Sequence, residues 1–117
     1  MRITVLIVED EPLIRLDAAQ TLEASGFEVI EASNADEAIK ILEDRSDISV
    51  VFTDVQMPGS MDGVKLAQAV RKRWPPVKLI ITSGRRLSRD LELPEGTGFI
   101  SKPYGTDISD RIRQIVA

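Results

Sequence analysis

The sequence predicts a three-layer α/β domain in which helices cover both faces of a parallel sheet. Short apolar runs of strand length alternate with helical patterns along the 117 residues, and this alternation is typical of such a sheet. The length is enough to bury a core without a metal or a disulfide to stabilise it. Because no linker, repeat or low-complexity tract interrupts the pattern, we expect residues 1–117 to form one domain.

Two strand–helix units are predicted in the first half of the chain. Residues 3–8 form a continuous apolar run that is typical of a buried strand, and Pro12 suits the first turn of the helix after it. Residues 27–32 alternate with period two, which indicates a half-exposed edge strand. Ser33 or Asn34 can cap a second helix. The apolar face of that helix carries Ala35, Ala38, Ile39 and Leu42.

The middle of the chain repeats this arrangement. A buried strand reaches Thr53 and is closed by the charged residue Asp54. A helix is predicted from about residue 63 to residue 72. It is expected to end there because two consecutive prolines follow, and a residue that precedes a proline disfavours the helical conformation. Residues 77–82 form the fourth apolar strand.

The last third of the chain completes the sheet. Residues 85–96 allow only a short fourth helix, because Pro94 and Gly96 break the pattern. A fifth strand is predicted over 97–101, and the final helix carries Ile108, Ile112 and Ile115 at helical spacing. Right-handed crossovers and this chain length favour a flavodoxin-like, doubly wound sheet in the order 2-1-3-4-5.

Composition and charge exclude several classes of function. The formal charge of −4 argues against direct binding of nucleic acid. The chain has no cysteine and no histidine, so it lacks thiolate metal ligands, the usual zinc ligand and the usual general base. No apolar stretch is long enough to span a membrane and no signal-peptide cleavage site is visible, so we expect a cytoplasmic protein that does not bind membranes.

Charged residues follow three of the predicted strands. Glu9, Asp10 and Glu11 follow the first strand, Asp54 ends the third and Lys102 follows the fifth. Parallel strands end at one edge of the sheet, so we expect these groups to meet where the strand order reverses. Crowded carboxylates repel one another unless a cation joins them, and a site with only oxygen ligands favours Mg²⁺.

The same residues suit phosphoryl transfer. Mg²⁺ and the ammonium of Lys102 would neutralise phosphoryl oxygens while an oxygen of Asp54 attacks phosphorus. Thr82, at the end of the fourth strand, can offer a hydroxyl donor to another oxygen. The sequence therefore predicts an acceptor site for an aspartyl phosphate.

Each of these features also has a simpler structural interpretation. The acids after the first strand could cap the first helix, and Thr82 could be only a β-branched strand residue. The basic run 71–73 is interpreted as a solvated face, and Trp74 as an anchor at the end of a helix.

Four motifs, taken in order, resemble the receiver domain of two-component response regulators. They are Val8-Glu9-Asp10-Glu11-Pro12, then Thr53-Asp54-Val55-Gln56-Met57-Pro58 with Met61-Asp62-Gly63, then Ile81-Thr82-Ser83, and last Ser101-Lys102-Pro103-Tyr104. Each motif is weak alone, but the resemblance covers essentially the whole chain. The chain is thereby identified as similar to receiver domains of the stand-alone, single-domain type.

This resemblance implies a signalling phosphoacceptor rather than an enzyme. Asp54 would take phosphate from a sensor histidine kinase or a histidine phosphotransfer protein, and self-catalysed transfer and dephosphorylation would be its only reactions. Asp10, Asp54 and the backbone carbonyl of Gln56 would bind Mg²⁺, and Glu9 would act directly or through water.

The resemblance also implies a switch. Thr82 and Lys102 would bind phosphoryl oxygens, and the peptide between Lys102 and Pro103 would be cis. Phe99 would rotate inward as the hydroxyl of Thr82 moves toward the phosphate. Phosphorylation would then bias a surface of the fourth helix, fifth strand and fifth helix, which would bind an unidentified downstream protein or support a phosphorylation-dependent dimer.

Some residues depart from the family pattern. Glu9 replaces the more usual aspartate of the acidic pair, and 59–60 add one residue to the loop beside the site. Gln56 and Gly84 occupy positions that tune the loss of phosphate in the family, and the glycine favours a short-lived phosphoryl group.

Other functions stay open at this stage. The chain could act as a phosphate sink, or it could be a fragment of a larger response regulator. A haloacid-dehalogenase-like phosphohydrolase also uses aspartate, lysine and Mg²⁺, but Gln56 stands where its second aspartate is needed and the chain lacks room for a cap domain. An FMN-binding flavodoxin is disfavoured by the acidic loop after the first strand. A degenerate receiver that is never phosphorylated is disfavoured by the intact Asp10, Asp54, Thr82 and Lys102.

Overall fold

The computed structural model describes residues 3–55, 62–83, 94–101 and 108–116. The strands are β1 (Thr4–Val8), β2 (Glu28–Ala32), β3 (Val50–Asp54), β4 (Lys78–Ser83) and β5 (Gly98–Ser101). The helices within the described residues are α1 (Pro12–Ala24), α2 (Ala35–Asp44), α3 (Gly63–Arg73) and α4 (Ile108–Val116). All paired strands are parallel and lie in the order β2-β1-β3-β4-β5, which confirms the predicted sheet.

The sheet carries a separate apolar core on each face. Leu6, Val51 and Leu79 point to one face, where they pack with residues of α2 and α3. On the other face, Phe52 and Ile80 pack with residues of α1 and α4. Because β1 and β3 are buried on both sides, their sequences are continuous apolar runs and not alternating ones.

Capping residues set where α2 and α3 begin. Oδ1 of Asn34 accepts a hydrogen bond from the Glu37 backbone N–H at 2.8 Å, so Asn34 is the cap of α2. A carboxylate oxygen of Asp62 accepts from the Lys65 N–H at 2.9 Å and caps α3 in the same way. At the start of α1, the side chain of Glu11 makes no capping hydrogen bond and Pro12 occupies the first turn.

The carboxyl end of α3 is less exposed to solvent than we predicted from its basic run 71–73. Arg71 is half-buried, and its guanidinium donates to the carbonyls of Pro75 and Glu95 at 3.3 Å each. Arg73 is exposed and pairs with Glu43 at 2.8 Å. Trp74 ends the helix and packs against the core, as predicted.

The short fourth helix predicted within 85–96 falls largely on residues 84–93, which lie outside the described residues. The predicted final helix is α4 of the structure. No helix of the described segments has the length and apolar character needed to cross a membrane.

Candidate functional site

Three carboxylates meet at the edge of the sheet where the strand order reverses. Glu9 and Asp10 follow β1, and Asp54 ends β3, the neighbour of β1. One carboxylate oxygen from each of the three residues lies within 4.8 Å of the other two. Glu9 and Asp54 are only 2% and 8% exposed, whereas Asp10 is exposed. The cluster therefore opens to solvent on the side of Asp10.

Thr82 lies beside Asp54 in the sheet. The two residues are register partners of β3 and β4, and the Val55 N–H donates to the Thr82 carbonyl at 3.0 Å just beyond them. Thr82 is 1% exposed, and its Oγ1 has no hydrogen-bond partner among the described residues. A buried hydroxyl without a partner is costly, so this position suits a ligand that supplies an acceptor oxygen.

Gly63 allows α3 to begin directly against the end of β3. Its N–H donates to the Val55 carbonyl at 2.9 Å. A Cβ atom at this position would lie 1.9 Å from the Asp54 carbonyl oxygen and 2.9 Å from the Val55 Cα. The sequence shows that this glycine belongs to a motif. The packing adds the reason, which is that the position has no room for a side chain.

Hydrogen bonds hold the acidic loop after β1 from several sides. The Glu9 N–H donates to the Ala32 carbonyl of β2 at 3.1 Å, and Oε2 of Glu9 accepts from the Glu11 N–H at 3.3 Å. Arg15 donates from Nη1 to the Glu9 carbonyl at 2.8 Å and from Nε to Oε1 of Glu31 at 3.2 Å. Sequence reasoning missed both Arg15 and Glu31. Arg15 lies in the first turn of α1, just after the acids, and Glu31 lies near the carboxyl end of the neighbouring strand β2.

Phe99 lies on the edge strand β5 and is 37% exposed. Its carbonyl accepts a hydrogen bond from Nη2 of Arg111 at 3.0 Å. The predicted inward rotation of the ring would start from this partly exposed position.

Several predicted site residues lie outside the described residues, namely Gln56, Gly84, Lys102 and Pro103. Their predicted roles as a metal ligand, as residues that tune dephosphorylation, as the phosphate-binding lysine and as part of a cis peptide therefore stay predictions.

The chemistry of the carboxylate cluster fits a hard divalent cation. All three candidate ligands from side chains are carboxylates, and the chain has no histidine or cysteine to add a softer ligand. Mg²⁺ is bound in proteins through one or two carboxylates and keeps several waters, which an open cluster such as this one can accommodate. Since the nearby Thr82 hydroxyl has no partner in the segments that the structure describes, the arrangement suits the binding of a metal together with an oxyanion.

The sequence model of the response regulator receiver domain matches residues 5–114. The chain belongs to this family. It is therefore a receiver domain of two-component signalling systems, with the flavodoxin-like fold that the sheet order shows. The phosphohydrolase and the flavodoxin-type FMN binder are set aside by this match.

Similar proteins carry such a domain within longer chains. The sensor kinase CckA of Brucella abortus is 37% identical over 105 residues, which are 86% of this chain and 11% of the kinase. The hydrogenase transcriptional regulatory protein HoxA of Cupriavidus necator is 36% identical over 118 residues, or 97% of this chain and 24% of that protein. The chain thus spans a quarter or less of these two relatives.

The fold is also that of a solved receiver domain. The crystal structure of the receiver domain from the hybrid histidine kinase CckA matches with a TM-score of 0.83 and 32% identity, and the match covers 97% of this chain and 99% of that one.

Proposed function

We propose that this receiver domain accepts a phosphoryl group on Asp54 from a histidine kinase or a histidine phosphotransfer protein, with Mg²⁺ as cofactor. The observation that carries the proposal is the cluster of Glu9, Asp10 and Asp54, one oxygen of each lying within 4.8 Å of the others, beside the buried hydroxyl of Thr82. Asp10, Asp54, the carbonyl of Gln56 and Glu9 would hold the metal. When bound, Mg²⁺ neutralises charge on the phosphoryl oxygens.

The transfer step involves one bond formed and one bond broken. A carboxylate oxygen of Asp54 forms a bond to phosphorus, and the bond from phosphorus to the donor's imidazole nitrogen breaks, so that the neutral histidine leaves after protonation. The hydroxyl of Thr82 donates to one phosphoryl oxygen, and the ammonium of Lys102 pairs with another.

The donor must be another molecule or another part of a longer chain. None of the 117 residues is a histidine, so the sequence contains no residue that could carry a phosphohistidine. Proteins similar to this chain include a sensor kinase and a transcriptional regulatory protein. The phosphorylated domain would then act on a downstream protein, through movement of Thr82 and Phe99.

Intact-mass measurement tests the proposal. The protein is incubated with acetyl phosphate or phosphoramidate and Mg²⁺, and we expect the mass of one added phosphoryl group. Asp54→Asn should abolish the adduct, and EDTA should prevent it. Asp44→Asn, which changes an exposed carboxylate at the end of α2, is the matched control and should be phosphorylated like the parent protein. No adduct with Mg²⁺ present, or an adduct that survives Asp54→Asn, would refute the proposal.

A further inference from the structure

Arg15 connects three separate parts of the chain at the edge of the candidate metal site. It belongs to the first turn of α1, yet its side chain reaches back to the loop after β1 and across to the end of β2. Nη1 donates to the Glu9 carbonyl at 2.8 Å, and Nε donates to Oε1 of Glu31 at 3.2 Å. The Arg15 side chain is only 21% exposed, less than the paired arginines Arg45 and Arg73, at 38% and 46%.

The carbonyl that Arg15 binds belongs to the peptide group joining Glu9 to Asp10. The orientation of this peptide group determines where the side chains of both residues point. The preceding peptide is already fixed, because the Glu9 N–H donates to the Ala32 carbonyl at 3.1 Å. Arg15 therefore supplies the second of two hydrogen bonds that hold the backbone on either side of the Glu9 Cα.

We propose that Arg15 is a positioning residue for the metal site, and that Glu31 in turn orients its guanidinium. This inference rests on the proposed function, since it assumes that the carboxylate cluster binds Mg²⁺. Hydrogen bonds from residues that do not themselves touch the metal hold its ligands in the orientations that binding requires. Loss of such hydrogen bonds lowers the affinity for the metal.

Electrostatics and positioning predict opposite results when the arginine is removed. Arg15 is a cation close to a site for another cation, so the loss of its charge alone would strengthen Mg²⁺ binding. The loss of positioning would weaken it, because the peptide between Glu9 and Asp10 could then rotate. The sign of the change in Kd therefore separates the two effects.

Isothermal titration of Mg²⁺ into the full chain, with matched variants, tests this role. We expect Arg15→Met to raise the Kd about 10-fold, the lower end of the range for outer-shell changes. The Kd of Arg15→Lys should fall between those of the parent and Arg15→Met. The lysine ammonium keeps the charge, but it cannot reach both acceptors as the forked guanidinium does. Glu31→Gln should also weaken binding, but less than Arg15→Met.

Arg45 and Glu28 provide the controls. They form a second ion pair between an arginine and a β2 glutamate within the described residues, at 3.4 Å and at the opposite end of that strand. Arg45→Met and Glu28→Gln make the same charge changes away from the site, so their Kd should stay within about 2-fold of the parent, since exposed charges are screened. Urea unfolding of each variant shows whether it is folded at the titration temperature.

Amide hydrogen exchange without Mg²⁺ gives a second readout. The Glu11 N–H, which donates to Oε2 of Glu9, should exchange faster in Arg15→Met while core amides of β1 keep their protection. Weaker Mg²⁺ binding together with this local change supports the positioning role. Unchanged or tighter binding in Arg15→Met, with a parent that binds Mg²⁺, overturns this inference alone, whatever the result for Glu31→Gln, because loss of the Glu31 charge weakens cation binding under either account. A parent that binds no Mg²⁺ overturns the proposed function as well.

Discussion

Asp54 and Thr82 are register partners at the carboxyl ends of β3 and β4, and both are buried. Asp54 reaches the carboxylate cluster, whereas the Oγ1 of Thr82 has no partner among the described residues. The sheet itself therefore places a carboxylate beside a buried hydroxyl that makes no hydrogen bond within the described part of the chain. A phosphoryl group on Asp54 would bring the missing acceptor to Thr82.

Replacing Thr82 by valine tests whether its hydroxyl is unsatisfied in the unphosphorylated protein. Thr82→Val should leave the free energy of unfolding unchanged or raise it by up to about 1 kcal/mol, because an unpaired buried hydroxyl is removed. Urea unfolding measures this change. The same variant should form a less stable phosphoryl adduct, which the rate of decay of the added mass would show.

Thr53 is the matched control for this variant. It is equally buried, but its Oγ1 donates to the Asp54 carbonyl at 3.1 Å. Thr53→Val should lower the free energy of unfolding by about 1 kcal/mol. A loss in Thr82→Val as large as the loss in Thr53→Val would show that the Thr82 hydroxyl has a partner.

Gly63→Ala tests the close approach of α3 to β3. Helix propensity alone predicts a gain of about 1 kcal/mol from this change. The Cβ atom would lie 1.9 Å from the Asp54 carbonyl oxygen, so we expect instead a loss of roughly 1–3 kcal/mol and a lower yield of phosphorylation. Lys72→Ala, at an exposed position of the same helix, should change the free energy of unfolding little. A Gly63→Ala variant as stable as the parent would show that α3 does not approach the backbone at the end of β3 this closely.

The ion pair of Arg45 and Asp47 should make a small part of the stability dependent on pH. Hydrogen bonding to Arg45, whose Nη2 lies 2.6 Å from Oδ2 of Asp47, lowers the pKa of this carboxyl below its ordinary value of 3.8. A lowered pKa in the folded state means that the contribution is present above the ordinary value and is lost as the pH falls through the folded-state value. Because both side chains are exposed, salt should also weaken the pair.

Thermal unfolding at two pH values checks this expectation. The difference in Tm between the parent and Asp47→Asn should be present at pH 7 and shrink toward about pH 3. Asp17→Asn, at an exposed position of α1, serves as the control for the removal of one negative charge. A difference that stays constant over this pH range would contradict the ion pair.

Much of the fold could be predicted because it depends on local patterns. The continuous apolar runs of β1 and β3 follow from burial on both faces of the sheet. The partial exposure of β2 follows from its place at an edge, but its burial does not alternate as predicted, because Val29 and Ile30 pack against opposite cores. The meeting of Glu9, Asp10 and Asp54 was predictable for a related reason, since parallel strands that are neighbours must end at the same edge.

Contacts between distant residues could not be predicted in this way. Arg15 and Glu31 are separated by 16 positions, and only the packing of α1 beside β2 shows that they meet. The half-burial of Arg71 depends likewise on the turn at Glu95, far along the chain. A sequence pattern shows which face of an element is apolar, but it does not show which polar side chains bridge two elements.

The position of the phosphoryl group is the most direct test of the central claim. After phosphorylation with acetyl phosphate and Mg²⁺, borohydride reduction converts an aspartyl phosphate to homoserine, and mass spectrometry of the peptides then locates the change. We predict homoserine at position 54 and at no other aspartate. Homoserine at position 10 or elsewhere, or an adduct that borohydride does not reduce, would contradict the assignment of Asp54 as the phosphoacceptor.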